Sequence, residues 1–195
     1  MKTILICNQK GGVGKSMLCD EICYGLERDQ VKFSLYDLDQ QGSLTHEAKE
    51  VDNAAVAIVD TPGALQDDLT KWIEAADMII VPTLMTRKDL APLERMIKLL
   101  QPFEGKKPIL YVLNMYDRTN MTKDFYKWFD ENYPEGVLVA EWFNPSMSLE
   151  AGFDLDFFCH DGVYNYSTLF FNTNRRTGGH QDCYFDLAGN GELKT

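Results

Sequence analysis

The stretch Gln9-Lys10-Gly11-Gly12-Val13-Gly14-Lys15-Ser16 gathers the residue types that grip phosphate. Three closely spaced glycines let a backbone turn tightly and aim its N–H groups at anionic oxygens. A lysine followed by a hydroxyl is the pair that reaches the β- and γ-phosphates of a nucleotide and ligates Mg²⁺. On this reading Gly11, Gly12, Val13, Gly14, Lys15, Ser16 and Met17 cradle the phosphates. Lys15 also acts on the transferring group, and Ser16 is a metal ligand. The usual phosphate-loop pattern has glycine where Gln9 stands, so the stretch departs from it at that position.

Two acidic segments could complete such a site. In Leu35-Tyr36-Asp37-Leu38-Asp39-Gln40-Gln41-Gly42-Ser43, two carboxylates one residue apart suit a metal's water shell and an attacking water. An Asp-x-Asp is otherwise a solvated turn. In Val56-Ala57-Ile58-Val59-Asp60-Thr61-Pro62-Gly63, an apolar run ends in an aspartate placed to hold Mg²⁺ through water, and Gly63 could sense a γ-phosphate by its N–H. The bland alternative is that Asp60 caps the next turn. Asn114 either meets an adenine edge, since an amide offers donor and acceptor, or caps the end of its strand.

The elements needed to position these residues are legible as alternating strands and helices. Short apolar runs predict strands over Thr3–Cys7, Lys32–Tyr36, Ala55–Val59, Met78–Val81 (stopped by Pro82), Ile109–Leu113 and Val137–Trp142. Helical spacing marks Ser16–Arg28 and the sets Leu65/Leu69/Trp72/Ile73/Ala76, Leu90/Leu93/Ile97/Leu100 and Met121/Phe125/Trp128/Phe129. A short helix is expected near Tyr164–Phe171. Such alternation implies right-handed crossovers and a mainly parallel sheet, with ligands at the carboxyl ends of its strands. The glycine loop, Asp37, Asp60 and Asn114 all fall there. The expected fold is α/β, a P-loop NTPase three-layer sandwich with a mainly parallel twisted sheet. One domain is expected over residues 1–171, followed by a loose tail over 172–195.

The early lysine of the loop resembles the deviant Walker A signature of the ParA/MinD superfamily, and small ParA-type partition ATPases above all. Asp37 to Ser43 is similar to that family's Asp-x-Asp-Pro-Gln-Gly-Ser segment, with Gln40 in place of the proline. The strand ends at Ile79–Thr83 and Leu113–Asn120 resemble it too, and, loosely, so does Phe143–Ser146 through Asp161–Gly162. The resemblance implies an ATPase that uses ATP and Mg²⁺ and forms an ATP-dependent homodimer. It implies that Lys10 reaches the partner's nucleotide in trans, Asp39 positions the water, and Asp37 supports the metal. It further implies a centromere-binding or other stimulatory partner, and non-specific DNA as a possible ligand. The linker from Leu44 to Val59 is shorter than in most relatives.

Composition narrows the rest. The net charge of −11 opposes binding of nucleic acid by the chain as a whole. The one locally basic stretch, Met85–Lys107, carries Arg87, Lys88, Arg95, Lys98, Lys106 and Lys107 against Asp89, Glu94 and Glu104, and Arg118, Lys123 and Lys127 could extend it. The alternative for these charges is solvated helix faces. Five cysteines without a Cys-x-x-Cys pair argue against a disulfide framework or an iron–sulfur site, and Cys19 and Cys23 read as small buried side chains. Asn114-Met115-Tyr116-Asp117 lacks the lysine of a guanine-reading motif. The tail lacks the basic amphipathic face of a membrane anchor, no apolar run is long enough to span a membrane, and a cytoplasmic location is expected. The remaining functional alternatives are a regulatory or conjugation-associated ATPase that docks protein cargo, and a positioning ATPase at a membrane surface.

Overall fold

The computed structural model describes residues 1–39, 42–63, 69–114, 120–133, 137–140, 168–174, 180–186 and 193–194. The elements are β1 (Lys2–Ile6), α1 (Lys15–Arg28), β2 (Phe33–Asp37), β3 (Val56–Asp60), α2 (Leu69–Ala75), β4 (Met78–Thr83), α3 (Arg87–Leu100), β5 (Ile109–Leu113), α4 (Asn120–Asn132), β6 (Val137–Ala140), β7 (Thr168–Asn174), β8 (His180–Asp186) and β9 (Leu193–Lys194). The first six strands form one sheet in the order β2-β3-β1-β4-β5-β6. Every neighbouring pair in it is parallel. The α/β class and parallel sheet expected from the sequence are therefore present.

Alternation along each strand divides the core into two layers. Ile4 and Ile6 of β1, with Phe33, Leu35, Val56 and Ile58, pack with Leu18, Cys19, Ile22, Cys23 and Leu26 of α1. Leu5 and Cys7 take the other side, with Ile73 of α2, Leu93, Met96, Ile97 and Leu100 of α3, and Phe125 and Phe129 of α4. Burial on both faces explains why β3 up to Val59, β4 and β5 are apolar or uncharged on successive residues rather than alternating. Each fully buried Ile or Leu contributes roughly 1.5–3 kcal/mol relative to exposure. Cys7, Cys19 and Cys23 are free and buried. Burial pushes the Cys7 and Cys23 thiols up to about 12 and Cys19 well above its ordinary value, so all three act as small core side chains.

Two expectations change. Pro82 does not stop β4, which continues through Thr83 with Pro82 opposite Val112 of β5. On the other side of β4, β1 pairs only as far as Ile80, followed by the bond from Cys7 N–H to the Ile80 carbonyl at 3.0 Å. The missing N–H of proline thus falls where β1 has already left the sheet, and the Asn8 side chain donates to the Pro82 carbonyl at 2.7 Å. The helix expected near Tyr164–Phe171 is overturned over its described part by β7, which pairs antiparallel with β8. The β-branched and aromatic content of Thr168-Leu169-Phe170-Phe171 favours an extended chain. β7 crosses the limit expected between domain and tail, and β8 and β9 lie within the expected tail. Leu65, Met115–Thr119 (with Arg118), Trp142, Phe143–Ser146, Asp161–Gly162 and Tyr164 lie outside the described residues.

Candidate phosphate-binding site

Sheet register brings the site together. Asp37, Asp60 and Ile6 lie in one row across β2, β3 and β1. β1 is also where strand order diverges, with β3 on one side and β4 on the other, and the glycine loop leaves from its end. The loop enters α1 through Gly14, whose φ of 93° is left-handed. A Cβ there would sit 2.1 Å from Asn114 Nδ2, so glycine is required twice over. The first turn of α1 holds no acidic residue, leaving its N–H groups and positive dipole end facing the loop.

Lys15 is buried and folds back so that Nζ donates to the Lys10 carbonyl at 3.2 Å. Burial lowers its pKa, and the charges of Asp60 and then Asp39 oppose that shift. Asp60 is 0% exposed, and among the described residues neither carboxylate oxygen has a hydrogen-bond partner at ordinary geometry. Burial pushes its carboxyl up to about 6, against the lowering effects of the nearby Ser16 hydroxyl and Lys15, and with further upward pressure from Asp37 and Asp39. A buried carboxylate left without partners is costly in the bare protein.

That orphan is the test of whether Mg²⁺ fits. Asp60 and the Ser16 hydroxyl are hard oxygen donors, as Mg²⁺ requires. Among the described residues no group of three or more His, Cys, Asp or Glu is arranged to enclose a metal alone. The donor set therefore suits an ion that shares its shell with water and phosphate oxygens, and Mg²⁺ fits. Asp37 is half-buried and its Oδ1 accepts the Asp39 N–H at 2.9 Å, so its side chain also serves the turn that presents Asp39.

The segment after β3 lies against the glycine loop. Thr61 donates to the Ile6 carbonyl at 2.9 Å. A Cβ on Gly63 would come within 2.9 Å of both the Cα and N of Gly11. Asn114 is buried beneath the loop, where Nδ2 donates to the Val13 carbonyl at 3.0 Å and the backbone N–H to Thr83 at 2.9 Å. Its described contacts thus brace the phosphate loop, a role beyond the two foreseen for it.

Two side chains that sequence reasoning passed over complete the site. Asn8 accepts the Lys10 N–H at 2.9 Å while donating to Pro82, tying the start of the loop to β4. Asp89, buried in the first turn of α3, forms an ion pair with Lys10 Nζ and accepts a hydrogen bond from the Thr86 hydroxyl. Within the chain, then, Lys10 is bound to its own α3. Asp89 was hidden because in sequence it reads as one charge within a basic stretch.

A sequence profile of the CobQ/CobB/MinD/ParA nucleotide binding domain matches residues 4–141. No curated protein matches the chain in sequence. Among solved structures the chain is similar to a plasmid partition protein from Borrelia burgdorferi, at 14% identity over 75% of this chain and 92% of that one, with a TM-score of 0.60. It is similar to apo McdA of Cyanothece, at 16% identity over 74% and 86% of the two chains, with a TM-score of 0.59. It is likewise similar to cobyrinic acid a,c-diamide synthase from Mycobacterium smegmatis with bound ATP analogue and magnesium, at 18% identity over 75% and 85%, with a TM-score of 0.57. At such identities the structural likeness establishes the fold alone. The sequence match takes in the glycine loop, the Asp37 and Asp60 strand ends and Asn114, and the chain belongs to the CobQ/CobB/MinD/ParA nucleotide-binding domain family.

Proposed function

We propose that this chain is an Mg²⁺-dependent ATPase that switches between monomer and ATP-bound homodimer. The observation that carries the reading is the Asp60 carboxylate, buried beside Ser16 and Lys15 at the mouth of a glycine loop and without a hydrogen bond of ordinary geometry among the described residues. Lys15 and the loop N–H groups would hold the β- and γ-phosphates, with Gly11, Gly12, Val13, Gly14 and Met17 forming the cradle. Ser16 and Asp60, with Asp37 behind them, would hold Mg²⁺, which supplies charge neutralisation to the transferring phosphoryl group. Asp39 would orient the attacking water. Gly63, packed on Gly11, is placed to register occupancy of the loop and pass it to the switch segment. Asn114 supports the loop from below and would, as a second role, meet the adenine edge.

Lys10 is the residue through which a second copy would act. To reach a partner's nucleotide it must leave Asp89, so the dimer competes with an ion pair inside each monomer. Measuring mass in solution with ADP and with ATP tests this for the parent, for Asp39→Ala and for Asp39→Ala with Lys10→Ala. An ATP-dependent dimer in the Asp39 variant, weakened by loss of Lys10, is expected. A monomer with ATP bound would sink the trans role.

For the cargo we favour DNA of a plasmid or mobile element, held non-specifically and released with a stimulatory, centromere-binding type of partner. Arg87, Lys88, Arg95 and Lys98 are all exposed along α3, and Asp89 between them is buried on Lys10. Lys107 leaves the patch, since its Nζ donates to the Ile73, Glu74 and Ala76 carbonyls at the end of α2. A mobility shift on non-specific duplex DNA with ATP, at low and moderate salt, checks this. Absence of any shift would favour docking of protein cargo, to which the acidic charge of the rest of the chain is suited. No helix among the described residues is long and apolar enough to cross a membrane. We infer a cytoplasmic site of action, and liposome sedimentation tests the membrane-surface alternative.

A further inference from the structure

Asp20 lies one turn after Ser16 on α1, so the two share a helix face. Its buried carboxylate takes its hydrogen bonds from one short segment. Thr45 donates through N–H at 2.9 Å and hydroxyl at 2.8 Å, and His46 through N–H at 3.0 Å, with its ring Nδ1 at 2.6 Å. The His46 ring is packed edge-on against Tyr24, with centroids 4.3 Å apart, and its Nε2 is 3.5 Å from Glu27. Leu44 packs against the α1 layer of the core. This is more than a surface loop needs, and nothing in the phosphate site accounts for it.

The clamped segment is the downstream arm of the Asp39 turn. Upstream, Asp39 N–H is held by Asp37, at the end of β2, and Gly42 N–H bonds the Asp39 carbonyl at 3.3 Å. Asp39 is close enough for its charge to act on Lys15. We propose that Asp20 is a positioning residue: it fastens the downstream arm of the Asp39 turn to the helix that begins at Lys15 and Ser16, and so sets Asp39 against the phosphate loop. Aspartate suits this because its two oxygens accept all four bonds, whereas asparagine keeps the volume but turns an NH₂ toward donors.

The proposal rests on the reading of Asp39 as the group that orients water, and the test separates the two. Full-length parent, Asp20→Asn and Thr45→Val would be compared by amide hydrogen exchange, ATP affinity and single-turnover hydrolysis, with Thr45→Ser as the conservative control. Asp20→Asn is expected to speed exchange at Asp39, Thr45 and His46 about tenfold or more while Ile22 in α1 is unchanged. It should slow the single turnover about tenfold with ATP Kd held within about threefold, because a small misplacement costs rate rather than ground-state binding. Thr45→Val should show a smaller effect in the same direction, and Thr45→Ser should restore the parent rate. Unchanged exchange at Asp39, or faster exchange with an unchanged rate, would overturn the proposal, as would equal losses in rate and affinity. If the parent binds ATP without hydrolysing it, the ATPase reading fails, and exchange at Asp39 and Thr45 alone then supports or overturns the clamp.

Discussion

Asp60 and Asp20 are both buried aspartates close to α1, at 0% and 7% exposure, and they are treated in opposite ways. Asp20 receives hydrogen bonds from Thr45 and His46. Although burial acts to raise its pKa, the bonds from the His46 ring, the two backbone N–H groups and the Thr45 hydroxyl outweigh it, and the net shift is downward. Asp60 receives none of ordinary geometry among the described residues, and burial pushes it up to about 6. Nearly equal burial with opposite satisfaction separates a structural anchor from the proposed metal-binding carboxylate. An unsatisfied buried carboxylate is costly, and in a cleft beside charged groups it marks a candidate functional site.

The contrast breaks first at Asp60. Asp60→Asn is expected to lower Mg²⁺-dependent ATP turnover about hundredfold or more, measured against Mg²⁺ concentration. A variant with parent turnover would remove Asp60 from the site. Stability should then move in opposite directions at the two positions. Asp20→Ala strands several buried donors and should cost about 2–4 kcal/mol in urea unfolding. Asp60→Asn, without nucleotide at pH 7 to 8, should gain roughly 1–3 kcal/mol by removing a buried charge. Two losses of stability would erase the distinction.

The pH dependence sharpens the same contrast. Folding raises the Asp60 pKa from the ordinary 3.8 to about 6 and so favours its protonated form. Its contribution to stability is complete below about pH 4 and lost as pH rises through about 6. Asp20 has a lowered pKa, so its contribution is present above the ordinary carboxylate pKa and lost as pH falls through its folded value. The stability gained by Asp60→Asn should therefore shrink on acidification from pH 8 to 5, whereas the loss in Asp20→Ala should persist over that range.

Two smaller effects bear on the neighbours. Gly63→Ala would press a Cβ onto Gly11 and should weaken ATP binding by about 1–2 kcal/mol, seen as a Kd increase in titration. Asp89→Asn should weaken the hold on Lys10 of a pair whose carboxylate is buried and whose ammonium is partly exposed, by about 1 kcal/mol. Its signature is a dimer up to about fivefold tighter with ATP by sedimentation, and a weaker dimer would show that Asp89 supports the active position of Lys10 instead.

Much of this site is local in sequence. The glycine loop and the strand ends at Asp37, Asp60 and Asn114 are legible because phosphate binding demands particular residues at fixed short spacing, and because buried parallel strands are short apolar runs. Those signals need no knowledge of distant contacts. Pro82 misled for the opposite reason, since whether a missing N–H matters depends on whether β1 still runs alongside. The aromatic run at Phe170 and Phe171 carries helical and extended signals alike, and pairing with β8 decided between them.

By itself, then, the sequence determined the parallel α/β class, the phosphate loop and the acidic strand ends, since these follow from spacing and periodicity within a few residues. Tertiary structure alone decided what each polar group meets. It set Asn114 under Gly14, Lys10 on Asp89, Thr45 and His46 on Asp20, and left Asp60, among the described residues, without a hydrogen bond of ordinary geometry. Hydrogen-bond satisfaction is a property of neighbours in space, brought together here from as far apart as Val13 and Asn114. No local pattern encodes it, which is why two aspartates of the same residue type came to do opposite work.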